Sequence, residues 1–269
     1  MWSRSGRRLV SALAVSVVLS ASIVAQTTIV SQNCLHLGWG QKTASKAAGI
    51  GAASLSASMD VMVLQEVMPK GGYNGLVDIV NKIGGLGTYT AQVGAPYGKG
   101  SYRETYGFIT RRTYNAGAPV AAPTNAGSFS RPPDGVLVTI PSNATQFWLI
   151  NYHAVFGKNI AIRQAEVRVM AQAAAGFTGV QNVALLIGGD WNLPTTDGAF
   201  QPLTTAGFGL APNVLSSLNP NGSRSSAYDH FAFKPSNGAS NAQILPPLMS
   251  DASWRTNVSD HLGVQCRVP

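Results

Sequence analysis

The feature that most limits how this chain can fold is the run Val-Ala-Leu-Leu-Ile at residues 183–187, followed at once by Gly188, Gly189, Asp190, Trp191 and Asn192. Five consecutive apolar residues with β-branched ends do not alternate between core and water, so they predict a short strand buried on both faces. The Gly-Gly pair predicts its end. A carboxylate and an amide, Asp190 and Asn192, then follow where a Pro-marked loop begins, the place where a layered sheet presents chemistry on a rigid base.

A strand covered on both faces needs partners of its own kind, and the chain supplies them. Residues 27–33 alternate as a first strand that ends near Asn33, and residues 59–64 form a second apolar run that ends in Gln65 and Glu66. Residues 89–93 and 105–111 read as a strand pair joined by a polar loop holding Lys99, Tyr102, Arg103 and Glu104. Residues 136–140 and 147–150 are further strands, the latter followed by Asn151, Tyr152 and His153; residues 227–233 contain Asp229, and a last strand at 261–268 opens with His261 directly after Asp260. Helices are expected at 42–58, 75–83 and 160–175, the last with Ile162, Ala165, Val169 and Ala173 along one side, and a short one near 198–206. With no internal repeat and no low-complexity linker, the expectation for residues 26–269 is one α/β domain: two packed, mostly antiparallel β-sheets flanked by helices.

The first 25 residues differ from the rest. Arg4, Arg7 and Arg8 precede an apolar stretch diluted by Ser and Ala that ends at Ala25, the pattern of a secretory signal peptide. The expected destination is therefore secreted or periplasmic, with no membrane attachment of the mature form. Those residues carry three arginines and no acid, so their removal takes the formal charge from +8 to +5, a balance compatible with a polyanionic partner. Cys34 and Cys266 would ordinarily suggest a disulfide in an exported chain. If the first and last strands run antiparallel, however, with Asn33 and His261 at one edge, Cys266 lies roughly 16 Å down its strand at about 3.3 Å per residue. A bridge needs Cα atoms within about 7 Å, so two free thiols are expected.

Six strands thus begin or end in polar groups, which can converge on one edge of the sandwich. Asn33, Glu66, Asp190 and Asp260 are hard oxygen donors suited to Mg²⁺, Mn²⁺ or Ca²⁺, whereas zinc prefers more His and Cys. His153 and His261 add groups that can face a phosphate oxygen as donors.

Taken together, Gln32-Asn33, Leu64-Gln65-Glu66, Asn151-Tyr152-His153, Gly189-Asp190-Trp191-Asn192, Tyr228-Asp229-His230 and Ser259-Asp260-His261 resemble the motifs of the endonuclease/exonuclease/phosphatase superfamily, in the same order and over essentially the whole mature chain. Within it, Tyr102-Arg103-Glu104 and Phe129-Ser130-Arg131 before Pro133 resemble the loops of deoxyribonuclease I-like members. The resemblance implies a four-layered α/β sandwich that hydrolyses DNA phosphodiesters with a divalent metal, Mg²⁺ first, and little sequence specificity, acting as a monomer without a stable protein partner. It implies Glu66 as principal metal ligand with Asn33, Asp190 and Asp260. It pairs His261 with Asp229 and His153 with Glu104, and assigns Tyr102, Arg131 and Asn192 to the substrate. Asp190 and the His153 pair both remain candidates for activating the water. Two other readings share the core motifs: the catalytic subunit of a cytolethal-distending-type toxin, and a sphingomyelinase-like phosphodiesterase. The chain departs from the deoxyribonuclease I pattern at Met68, where a groove-entering arginine is expected, and at Trp191, which replaces a Phe.

Overall fold

The computed structural model describes residues 26–99, 102–123, 127–177 and 183–269; the expected leader at residues 1–25 lies outside them. The chain lays down β1 (Thr27–Leu37), α1 (Thr43–Ser56), β2 (Val61–Val67), α2 (Gly72–Ile83), β3 (Tyr89–Val93), β4 (Tyr97–Lys99) and β5 (Tyr102–Arg111). Short strands β6 (Asn115–Ala116) and β7 (Val120–Ala121) lead to β8 (Asp134–Thr139), β9 (Gln146–His153), α3 (Ile160–Arg168) and α4 (Met170–Ala175). The remainder is β10 (Ala184–Asp190), α5 (Gln201–Thr205), β11 (Gly209–Ala211), β12 (Asp229–Lys234), β13 (Ser240–Ile244), α6 (Asp251–Asn257) and β14 (Val264–Val268).

Two seven-stranded sheets result, ordered β13-β14-β1-β2-β5-β3 with β4 on β5, and β11-β12-β10-β9-β8-β6 with β7 on β8. Each has one parallel pair at its centre, β1 with β2 and β9 with β10. Helical crossovers join the members of each pair, as parallel neighbours require. All the other pairings are antiparallel, as expected. Alternation along β2 shows why the layers stack. Val61 and Val63 enter the apolar layer between the sheets with Ile29, Phe108, Leu149 and Phe231. Met62 and Leu64 face the layer under α1, α2 and α6 with Ile50, Leu76 and Trp254. A third layer, built on Ile150, Met170, Trp191 and Phe200, joins the second sheet to its own helices.

Several expectations need correction. The Gly-Gly pair does not stop β10, which continues through both glycines to Asp190. A Cβ on Gly188 would sit 2.9 Å from Phe231 and 3.1 Å from Val63, and one on Gly189 would lie 1.8 Å from the Tyr152 carbonyl oxygen. These glycines are therefore close-packing positions inside the sheet. The helix expected at 160–175 is two helices that meet at Val169. Its buried side is Glu166, Val167, Met170, Ala173 and Ala174, while Ile162 is 55% exposed. Apolar spacing misled here because Glu166 is held inside by backbone donors. β1 runs past Asn33 to Leu37, and the last strand begins at Val264, with His261 making only an isolated bridge to Ser217. Cys34 and Cys266 are free and buried, in different apolar layers.

Candidate active site

The parallel pairs bring their C-terminal ends to one edge, where open α/β sheets present ligand sites. Within the second sheet, register sets His153, Asp190 and Asp229 side by side on three neighbouring strands. On the first sheet, Asn33 lies beside Gln65, and the ladder then slips between Asn33 and Leu37 and between Leu64 and Val67. Within that irregularity Leu35, His36 and Glu66 take positive φ (46°, 61° and 55°), as does Asn192 at 53° across the cleft. Left-handed backbone in ordinary residues is strain that surrounding packing must hold, and it re-aims the Glu66 side chain. Lys46 from α1 supplies part of that hold by donating to the carbonyls of Cys34 and Leu35.

Contacts then cross between the rows. Asn33 Nδ2 donates to Glu66 Oε1 at 3.1 Å and to Asp190 Oδ2 at 3.0 Å. Its own oxygen accepts the Leu35 N–H, so Asn33 is placed to brace two carboxylates. Glu104 Oε2 accepts from His153 Nδ1 at 2.9 Å and from the Glu66 N–H, and Glu104 Oε1 lies 2.6 Å from Arg131 Nη1. His153 Nε2 is thereby left 3.8 Å from Asp190 and 4.0 Å from Glu66. His261 mirrors this arrangement: Nδ1 meets Asp229 Oδ2 at 2.8 Å, and Nε2 stands 3.5 Å from Asp190 Oδ2. Arg131 donates through Nε to the His153 carbonyl and through Nη2 to that of Ala154. Each terminal nitrogen keeps a second N–H beyond these contacts. Asn192 donates to the Ala154 carbonyl, and its backbone N–H caps Asp190 Oδ1.

These groups line one cleft of about 610 Å³ that contains Glu66, Tyr102, Arg131, His153, Asp190, Asn192, Asp260 and His261. Asn33, Glu104 and Asp229 stand behind its wall through the bonds above. Every residue that the resemblance assigns to metal, catalysis or substrate is thus brought to one place. Asp229 Oδ1 and Asp260 Oδ1 are buried without a hydrogen-bond partner, and Glu66 Oε2 is buried with an ion-pair contact to His36 Nε2 at 3.0 Å. Buried oxygens left unpaired in this way suit a hard divalent cation. A second grouping, Asp190, Asp229 and His261, also has metal-like spacing, but there His261 Nδ1 is already committed to Asp229.

Electrostatics follow from the pairs. For His153, burial disfavours the imidazolium, yet the Glu104 carboxylate outweighs it and the pKa is raised. For His261, burial again opposes the charge, and Asp229 with Asp190 carries the pKa well above the ordinary value. Burial pushes Glu104 up, but His153 and Arg131 together draw it down to about 2. A carboxyl depressed below its ordinary value of about 4.3 gives stability that is present above that pH and lost as the pH falls toward 2. Unfolding free energy measured by urea titration should therefore drop on acidification through this window, and Glu104→Gln should flatten the drop; an identical slope in the variant would contradict the pairing.

The sequence reading passed over His36, whose Nε2 lies 3.0 Å from Glu66 Oε2 and contacts the Tyr102 hydroxyl. It also passed over Glu166, whose two oxygens accept the Ser130 and Val155 N–H groups and so fix both loops beside Arg131. Rarity was the available signal for His36, because the chain has only four histidines and three of them line the cleft. Glu166 offered none.

Solved structures with the same architecture include an endonuclease/exonuclease/phosphatase family protein from Bacteroides thetaiotaomicron, with a TM-score of 0.66 at 14% identity over 91% of this chain and 98% of that one. The human Nocturnin catalytic domain with bound sulfate anion gives 0.67 at 14% identity over 91% and 94%. By fold, the chain is similar to these endonuclease/exonuclease/phosphatase family structures. No family model matches it. A curated relative named Deoxyribonuclease, from Thioalkalivibrio sp. (strain K90mix), is 26% identical over 198 residues, 70% of this chain. The chain spans about half the length of that relative, 52%. The likeness in fold thus extends over 91% of the chain, and the likeness in sequence over 70% of it.

Proposed function

We propose that the protein is an exported, divalent-metal-dependent phosphodiesterase that cleaves DNA with little sequence specificity. The observation that carries this reading is the facing arrangement of two carboxylate-held histidines about Asp190, next to the Glu66 carboxylate and the unpaired oxygen of Asp260. The relative named Deoxyribonuclease supports DNA as substrate. Glu66 and Asp260 would hold a cation such as Mg²⁺, with Mn²⁺ or Ca²⁺ able to substitute. When bound, the cation supplies positive charge to the phosphate oxygens and leaving group.

The chain's own groups do the rest. Asp229 and Glu104 each fix one imidazole tautomer and turn Nε2 toward the cleft. With one nitrogen of each ring held by a carboxylate, both Nε2 atoms would donate to phosphate oxygens, whose charge grows in the transition state. Asp190 accepts from Asn33 and the Asn192 backbone; it would take the proton from water, the His153 pair being the other candidate. Arg131 and Asn192 position phosphate oxygens beside it. Weak sequence specificity fits a site whose chemistry is addressed to phosphate and not to base edges. Among the described residues no helix is long and apolar enough to cross a membrane.

A substrate panel tests the class: supercoiled plasmid, p-nitrophenyl phosphate and sphingomyelin vesicles, each with Mg²⁺. Plasmid cleavage with kcat/KM far above the other two is expected. Preferential turnover of the monoester or the lipid would overturn the DNA assignment and favour the phosphatase or sphingomyelinase reading.

A further inference from the structure

A group of three aromatic rings stands at the edge of the cleft, on the side built by the first sheet. His36 and Trp39 are joined by a turn closed by the Trp39 N–H to the His36 carbonyl at 3.1 Å. Tyr102 opens β5 beside them. Ring centroids are 5.3 Å apart for His36 with Trp39 and for His36 with Tyr102, and 6.1 Å for Trp39 with Tyr102, all edge to face. Trp39 is 56% exposed and Tyr102 47% exposed. Gly38, at φ 94°, anchors the turn, because a Cβ there would lie 2.2 Å from the Gly72 backbone nitrogen. The turn is therefore held against the start of α2, and the indole is presented from a fixed base.

His36 ties the group to Glu66, while the Trp39 indole meets the rings of His36 and Tyr102 and leaves its own face half in water at the edge of the cleft. An exposed ring face beside a phosphate site is what a nucleobase stacks on. Stacked duplex bases have their faces covered by neighbours and offer only edges and backbone. A platform next to the cleavage site can receive a base only if that base is unpaired. His36 and Tyr102 line the cleft itself, and His36 reaches Glu66, so a base on the platform belongs to a nucleotide flanking the phosphate. Across the cleft, on the second sheet's side, Phe156 is 74% exposed and lines it with Tyr228, offering a face to the strand beyond. Met68, just after β2, is only 6% exposed and has no reach into a groove.

We propose that His36, Trp39 and Tyr102 form a stacking platform for an unpaired base adjacent to the scissile phosphate, which makes single-stranded DNA the preferred form of the substrate. The inference rests on the phosphodiesterase reading for the chemistry but has its own readout. Fluorescence anisotropy in EDTA, at fixed low salt, compares a fluorescein-labelled oligothymidine with a duplex of equal length. Single-strand binding about tenfold or more tighter than duplex is expected. Trp39→Ala should remove most of that preference, and Trp39→Phe should restore it, since a ring face remains. The exposed position of Trp39 leaves the fold intact in both variants, as a thermal melt will confirm. Equal affinity for the two forms, no binding to either, or an unchanged preference in Trp39→Ala would each overturn the platform. Because EDTA prevents cleavage, these outcomes are separate from the plasmid assay: a protein that nicks plasmid but binds both forms equally loses the platform and keeps the phosphodiesterase reading.

Discussion

His261→Ala and His153→Ala are each expected to lower kcat/KM on DNA by roughly 10³-fold or more while the protein stays folded; a positioned proton donor contributes about 10²–10⁴-fold. The estimate sits toward the upper end because each ring also separates carboxylates. His261 stands between Asp229 and Asp190, and His153 between Glu104 and the Glu66–Asp190 pair. Removing either ring leaves buried negative charges facing one another without their cation partner. The loss should fall on kcat more than on KM, as for an interaction strengthened in the transition state. Steady-state kinetics beside circular dichroism would check it. Near-normal turnover in either folded variant would contradict the assigned roles. Asp229→Asn should follow His261→Ala in direction, since an amide cannot hold the imidazolium in the same way.

The largest expected effect on stability is at Gly189. Gly189→Ala places a methyl group 1.8 Å from the Tyr152 carbonyl oxygen on the neighbouring strand, in a register that pairs Gly189 with Tyr152. Backbone cannot swing aside as a side chain can, so relief requires parting the central parallel pair that carries His153 and Asp190. A loss above about 4 kcal/mol, or failure to accumulate soluble protein, is expected. Gly188→Ala is the control. Its methyl group meets the ends of Phe231 and Val63 at 2.9 and 3.1 Å, which can shift, so its loss should be smaller. Urea unfolding of both variants would rank them. A Gly189→Ala protein within about 1 kcal/mol of the original would contradict the packing described here.

These two glycines also mark what the sequence could and could not reveal. The strands carrying Glu66, His153 and Asp190 were legible because burial on both faces forces unbroken apolar runs, and a polar residue after such a run stands out. Where the run ended was not legible. Gly188 and Gly189 look like a stop in one dimension, and only the neighbouring strand and the facing sheet make them necessary. The same limit explains Glu166. Its place on the buried side of α3 depends on the Ser130 and Val155 N–H groups, which come from segments distant in sequence. Asn33 was legible as a member of the site, whereas its bracing geometry depends on the positive-φ turn through Leu35 and His36, which no local propensity signals. Cys34 and Cys266 show the reverse: strand direction and spacing were enough to separate them, and both thiols are free.

Metal-dependent cleavage of DNA phosphodiesters at this edge of the sandwich is the proposed activity. The decisive assay is plasmid nicking with Mg²⁺, with Mn²⁺ and with EDTA, beside Glu66→Gln, which keeps the side-chain shape but removes a charged oxygen. Nicking that requires the metal and is lost in the folded variant is the predicted result. Nicking that persists in EDTA, or at full rate in Glu66→Gln, would contradict the claim, as would a folded protein that leaves plasmid intact in both metals.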